Sequence, residues 1–363
     1  MAIAEPRAPL FVDNSLLSSV DCSTDVALRH VHHYTSLKDR APIRAGSACH
    51  HALDTWFQHK DKLKAMAAFE EHYRDFADEN VEDPEDRLTW ENTSSILDNW
   101  LDTKGVELIK DVEIIPGMVE VGFAYPLGID AVSKPKQRTT AEFTVDDLKR
   151  GYEGVDCEFI MCGRFDMLVR WKKSNSIYVW ENKSTGSVAR LKDTIRFGSQ
   201  FADYLWAAKK ILAQMSPLHS VQVSGVFVNA IEFRKMPGSD RRCNTHGVKY
   251  SECKFMHLGH AFLGPVGRSP EALVEWEKTA VHLAKRYRDI LTKYPKISDV
   301  PKLRTQGQFE YGRCPNCTFA DFCLAGRPMA AIDAMLKVEA WSPFDGVIEN
   351  SQALFMQGEV VRK

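Results

Sequence analysis

The sequence predicts an α/β fold with a mixed central sheet flanked by helices. Three observations predict it. Long stretches with apolar residues at helical spacing come first, short alternating or continuously apolar stretches follow, and helical stretches then return between the later strands. With 363 residues, 44% of them hydrophobic and 26% charged, the chain can bury a sizeable core. We expect one domain over residues 1–363 with decorations: a helical part (15–102), a core (104–233), a basic insertion (234–260), a last helix with a cysteine cluster (269–325) and a tail (326–363).

The elements follow in order. Residues 1–14 read as an irregular lead-in, and a helix is expected to begin near Ser23 or Thr24, just after Cys22, with Val26, Leu28 and Val31 as its apolar residues. Beyond a loop with Pro42 and Gly46, the stripe Ala52, Leu53, Phe57, Leu63, Met66, Phe69 and Tyr73 predicts one helix from Ser47 to Phe76, with His50 in its first turn. A second helix is expected from about Asp86 to Leu101, anchored by Leu88, Trp90 and Leu97. Val106 to Ile115 and Met118 to Leu127 read as strands, and 128–155 as a long polar loop. Arg164 to Trp171 and Ile177 to Glu181, separated by a polar Lys-Lys-Ser-Asn-Ser break, read as a β-hairpin. A helix over Leu191 to Leu212, a buried strand over Val221 to Phe233 and a helix over Ser269 to Tyr294 complete the core.

The hairpin carries the chemistry. Side chains alternate faces along a strand, so Glu181 and Lys183 point the same way, and Asp166 on the neighbouring strand reaches the same space. Two converging carboxylates repel unless a hard cation such as Mg2+ or Mn2+ lies between them, and a nearby lysine can orient a water or stabilise a developing phosphate charge. That is equipment for metal-assisted phosphodiester hydrolysis. An ordinary surface hairpin with a Glu/Lys pair would show the same pattern, so other parts of the chain must decide.

Near the C-terminus Cys314, Cys317 and Cys323 form a C-x2-C-x5-C array, spaced for one metal centre and badly spaced for disulfides. Cys22 is the best candidate for the fourth ligand, which would staple the first helix to the last segment. The spacing suits a 4Fe-4S cluster better than zinc, which more often pairs C-x2-C with a second such motif. Cys49 reads as a buried small apolar residue. Cys243, His246, Cys253, His257 and His260 offer a second zinc set, although a basic insertion facing phosphate is the simpler reading.

Composition narrows the class further. A net charge of −2 excludes a generally basic nucleic-acid coat protein and leaves room for an enzyme that grips a few phosphates locally. Runs of apolar residues fall short of a bilayer span, and the first residues lack the form of a secretory signal, so we expect a cytoplasmic protein with no membrane partner. Nine cysteines then read as thiols or metal ligands.

In order along the chain stand Cys22, Gly46 with His50, Gly163 to Asp166 as G-x-x-D, Glu181 to Lys183 as E-x-K, Gln200 to Tyr204 as Q-x3-Y, and the C-x2-C-x5-C ending. Together these motifs resemble the PD-(D/E)xK nuclease superfamily in its RecB-like branch, specifically the iron-sulfur exonucleases associated with CRISPR adaptation and the AddB-type nuclease domains. The resemblance spans nearly the whole chain. It implies a restriction-endonuclease-like core closed by an iron-sulfur staple. It implies that His50, Asp166 and Glu181 bind Mg2+ or Mn2+ with help from the Asn182 carbonyl, that Lys183 positions the attacking water, and that Gln200 and Tyr204 contact the strand. Two features depart from the pattern: His51 adjoins His50, and Ser23 stands where a proline often follows the first cysteine. The expected function is a metal-dependent deoxyribonuclease, an exonuclease on single-stranded or frayed DNA ends in recombination, repair or phage DNA metabolism. With no G-x4-G-K-[ST] loop in the chain, any helicase would be a separate partner. The rival expectations are a catalytically silent nucleic-acid-binding adaptor of the same fold and a zinc-stapled structural protein.

Overall fold

A computed structural model describes residues 9–37, 40–81, 83, 86–128, 157–214, 222–234, 241–242, 247–249, 252, 259–303, 314 and 317–343. The lead-in is more ordered than expected. Leu10–Asp13 forms strand β1, and Asp13 then caps helix α1 (Asn14–Ser19) by accepting from the Leu16 N–H at 2.7 Å. The expected helix at Ser23 is a single turn, α2 (Ser23–Asp25), that widens into a π-helical segment over Val26–Val31. A short strand, β2 (Tyr34–Ser36), follows.

The long helix predicted from Ser47 to Phe76 is two helices, α3 (Ala41–His59) and α4 (Lys62–Asn80). Lys60 turns left-handed at φ 54°, and Asp61 caps α4 through the N–H groups of Leu63 and Lys64. The apolar stripe runs on across the break because α3 and α4 pack their apolar sides into the same cluster, Leu53, Phe57, Phe69 and Tyr73 included. Helix α5 (Trp90–Trp100) starts later than predicted, since Thr89 is its cap. Residues predicted as strand from Val106 instead form helix α6 (Val106–Asp111). Strand β3 begins at Val112 and runs to Pro126, with a register shift against its partner between Ile114 and Val119.

The hairpin is present as β4 (Phe159–Trp171) and β5 (Ser176–Thr185). The helix expected over Leu191 to Leu212 splits at Gly198 into α7 (Val188–Thr194) and α8 (Ser199–Gln214). Strand β6 (Val223–Glu232) matches its expectation, whereas β7 (His260–Val266) falls partly in the stretch read as insertion. Helix α9 (Pro270–Lys293), capped by Ser269, is followed by α10 (Ala320–Leu324), α11 (Ile332–Met335) and strand β8 (Leu336–Val338), which pairs antiparallel with β2. The polar loop expected over 128–155 and Cys243, His246, Cys253 and His257 lie outside the described residues.

The sheet is mixed, in the order β1-β4-β5-β6-β7 with β3 on the other edge of β4. Helices cover both faces. Leu16, Phe201, Leu205, Leu273 and Ala284 bring α1, α8 and α9 onto one face, and Leu53, Phe57, Phe69 and Leu97 bring α3, α4 and α5 onto the other. One detail of the ladder locates the site. Strand β1 pairs in parallel with residues 159–162 of β4, while β5 pairs antiparallel with residues 167–171 of the same edge. Residues 163–166 therefore sit where the neighbour on that edge changes, the kind of switch point at which α/β sheets open a crevice.

Candidate active site

Gly163 and Asp166 bracket that switch point. Across the ladder from Gly163 stands Phe123, fully buried, with its ring laid over the glycine so that a Cβ there would fall inside van der Waals contact. The glycine thus lets the ring of β3 lock β4 in place beside the acid. Past the last β4–β5 pair, Met167 with Trp180, the strands diverge. The Asp166 side chain fills the gap: its Oδ2 accepts the Asn182 backbone N–H at 2.5 Å, a donor that would otherwise be lost to the ladder.

Glu181 is 1% exposed and Asp166 7% exposed, and they share the crevice with Lys183. The Lys183 Nζ lies 2.5 Å from Glu181 Oε1, and Gln200 Nε2 donates to the same oxygen at 3.3 Å. Glu181 Oε2 is buried with no hydrogen-bond partner. Burial raises the pKa of Asp166 to about 7, with Glu120 adding to the rise. Burial likewise lifts Glu181 to about 7 against the pull of Lys183. From α3, His50 places Nδ1 3.5 Å from Asp166 Oδ2, and burial lowers its pKa, so the imidazole is neutral near pH 7. His51 points elsewhere and stacks on His72 with ring centroids 4.2 Å apart. Helix α3 comes this close because residue 46 is glycine; a Cβ there would stand 2.9 Å from Ser184 Oγ.

Asn182, fully buried, belongs to a support behind the acids. Its Oδ1 accepts from Trp180 Nε1 at 3.0 Å and from Asn229 Nδ2 at 2.9 Å, and Asn229 Oδ1 faces His260 Nε2 at 3.0 Å. Gln200 is half-buried and donates to Tyr204 Oη at 2.5 Å; the tyrosine is 6% exposed and packs edge-on to Phe165. The two side chains therefore line the acid crevice from α8, with Tyr204 inward of Gln200.

Three neighbours were not apparent from the sequence. Glu120 is buried in β3 past the register shift between Ile114 and Val119, held at a left-handed φ of 53°, and its Oε2 lies 2.8 Å from Arg164 Nε. Asp54, one helical turn beyond His50, is hydrogen-bonded to Glu120, and burial pushes its pKa well up. Arg164 carried a usable signal, since it stands two residues from Asp166 on one strand. Glu120 carried none, because nothing in the sequence marks the left-handed backbone it adopts.

Four carboxyl groups (Asp54, Glu120, Asp166 and Glu181) thus face two permanent cations, Arg164 and Lys183. Protons can restore the balance, as the raised pKa values show, and so can one divalent cation. Among the described residues no group of three or more His, Cys, Asp or Glu side chains is already arranged to hold a metal ion. The donor set nevertheless fits a hard cation: two carboxylates, one with an unpartnered oxygen, beside a neutral imidazole.

Cys22 stands at the position just before α2, and Cys317 donates its N–H to the Cys314 carbonyl at 3.0 Å ahead of α10. A small core of Ala27, Leu28, Phe319, Phe322 and Ile332 joins the π-helical segment to this region, with Cys317 and Cys323 against it. Burial pushes the Cys323 thiol up to about 12, and Cys22, Cys317 and Cys314 all add to the rise, so the four sulfurs are electrostatic neighbours. Cys49 is buried in the core that α3, α4 and α5 form on the sheet, apart from them.

A family model described as the PD-(D/E)XK nuclease superfamily matches residues 17–324. No curated protein matches the chain.

Proposed function

The chain belongs to the PD-(D/E)XK nuclease superfamily, and from that premise we propose that it is a divalent-metal-dependent DNA exonuclease acting on single-stranded or frayed ends. The observation that carries the reading is the pair of buried acids, Asp166 and Glu181, gathered with Lys183 and a neutral His50 at the strand switch point. His50, Asp166 and Glu181, with the Asn182 carbonyl, would hold the cation. When bound, Mg2+ or Mn2+ would offset the charge of the scissile phosphate and make water a better nucleophile. Lys183, bridged to Glu181, orients that water and faces the charge that develops on the phosphate oxygens. Arg164 bonds Glu120 and holds it in place beside the acids before substrate arrives. Gln200 meets the strand at the mouth of the crevice, and Tyr204 fixes its orientation.

We read Cys22, Cys314, Cys317 and Cys323 as ligands of a 4Fe-4S cluster that ties the two chain ends together. The protein would act in the cytoplasm in recombination, repair or phage DNA metabolism, with strand separation supplied by a separate helicase. No helix among the described residues is long and apolar enough to cross a membrane.

The test is cleavage of end-labelled single- and double-stranded DNA by anaerobically purified protein in Mg2+, Mn2+ or EDTA. Stepwise shortening with either metal and none in EDTA is expected, and the ladder of products gives the polarity. Binding without cleavage under every condition would replace the nuclease with a silent DNA-binding adaptor.

A further inference from the structure

A cavity of about 450 Å³ opens beside the N-terminal turn of α3, between that helix, the β2–β8 ribbon and the segment that carries Cys317. Its walls hold three cations, Arg40, Arg44 and Lys337, and the hydroxyls of Thr35, Ser47 and Thr318. Among the described residues the one acid in the lining is Glu339, 3.7 Å from Lys337 in an exposed pair of little worth, so three cations share the lining with a single carboxylate there. The first turn of α3 has no acidic residue, and the positive end of its dipole faces the same space.

The cavity and the acid crevice are laid out on one helix. Arg40, Arg44, Ser47, His50 and Asp54 recur at spacings of three and four, which puts them along one stripe of α3. From Arg44 to His50 the axial distance is about 9 Å, roughly three nucleotides at a strand's rise of about 3.4 Å each. The cavity floor is fixed from the other side, since Arg40 Nη2 donates to the Cys317 carbonyl at 2.9 Å and Arg29 Nη2 to Thr318 Oγ1 at 3.3 Å.

We propose that this cavity seats a backbone phosphate of the DNA strand, a few nucleotides from the one held at Asp166 and Glu181, with Arg44 and Lys337 as its principal cations. This rests on the nuclease reading for the identity of the strand, while its chemistry, cations and hydroxyls around a phosphate-sized space, stands on the cavity alone. Helix α3 then acts as a ruler that sets the strand's path between a gripping site and a cutting site. Arg40 is a positioning residue, committed to the Cys317 carbonyl.

The experiment measures binding of a labelled single-stranded oligodeoxynucleotide in EDTA by fluorescence anisotropy over a range of salt, for the full chain and for Arg44→Ala, Lys337→Ala and Glu339→Gln. Each loss of a cation is expected to weaken binding about 3- to 10-fold and to make the slope of log K against log salt shallower by about 0.7. Glu339→Gln is expected to tighten binding. Equal midpoints of thermal unfolding show that the variants are folded. Affinity and salt slope unchanged in both cation variants would overturn the subsite even if the protein cuts DNA. Weakened, flatter binding in a protein that never cuts would keep the subsite and remove the nuclease reading.

Discussion

Glu181 and Asp166 hold their protons in the folded chain to about pH 7, against about 4 in an unfolded one. Between those values the folded state keeps protons that the unfolded state has released, so stability is full below about pH 4 and falls as pH rises toward and through 7. Asp54 and Asp203, also raised by burial, act in the same direction. The expected outcome in EDTA is a midpoint of thermal unfolding that drops from about pH 5 to about pH 8, by an amount worth a few kcal/mol, and that Mn2+ restores at the upper end. Asp166→Asn and Glu181→Gln flatten the fall; an unchanged slope in both would show that these acids do not titrate as described. At this scale the sequence was readable where period-two alternation governs, which is why Asp166, Glu181 and Lys183 are together. It was silent on Glu120, which stands at a positive φ in β3.

The elements around the site owe their positions to close approaches. Gly163 lets the Phe123 ring lie across β4, and Gly46 lets α3 come down on Ser184. Alanine at position 163 would push a Cβ into a fully buried ring, and overpacking of that kind costs about 1–3 kcal/mol. Chemical denaturation of Gly163→Ala should show that loss; a variant as stable as the parent would mean that the ring moves freely. Periodicity located the longer elements, α3 to α5, α8, α9 and β4 to β6, because the apolar faces that define them are the faces that pack; it gave no sign of α1, β2 or β8 and read α6 as strand. It missed the breaks at Lys60 and Gly198, since an apolar stripe continues through a tight turn when both helices feed one core. It also missed β1, four residues too short to show alternation, whose pairing with β4 creates the switch point.

Across the whole molecule, the first helical turns and the last segment share a small core, and the cysteines lie at that junction. Cys22→Ala and Cys317→Ala should each lower iron content and visible absorbance in anaerobically purified protein, together with the unfolding midpoint. Full iron in both variants would dissociate the staple from these ligands. The cysteine spacing pointed to this region, but the small apolar core there was not legible, nor was the cavity beside Cys317, because Arg40, Arg44 and Lys337 meet only through the β2–β8 pairing. The central claim is that the buried acids form the cutting site of a metal-dependent nuclease. Its most direct test compares DNA cleavage by the parent and Glu181→Ala across a range of Mn2+ concentrations, with both proteins folded. The account predicts metal-saturable cleavage in the parent and a loss of at least about 100-fold in the variant; a Glu181→Ala protein that cuts at the parent's rate would contradict it.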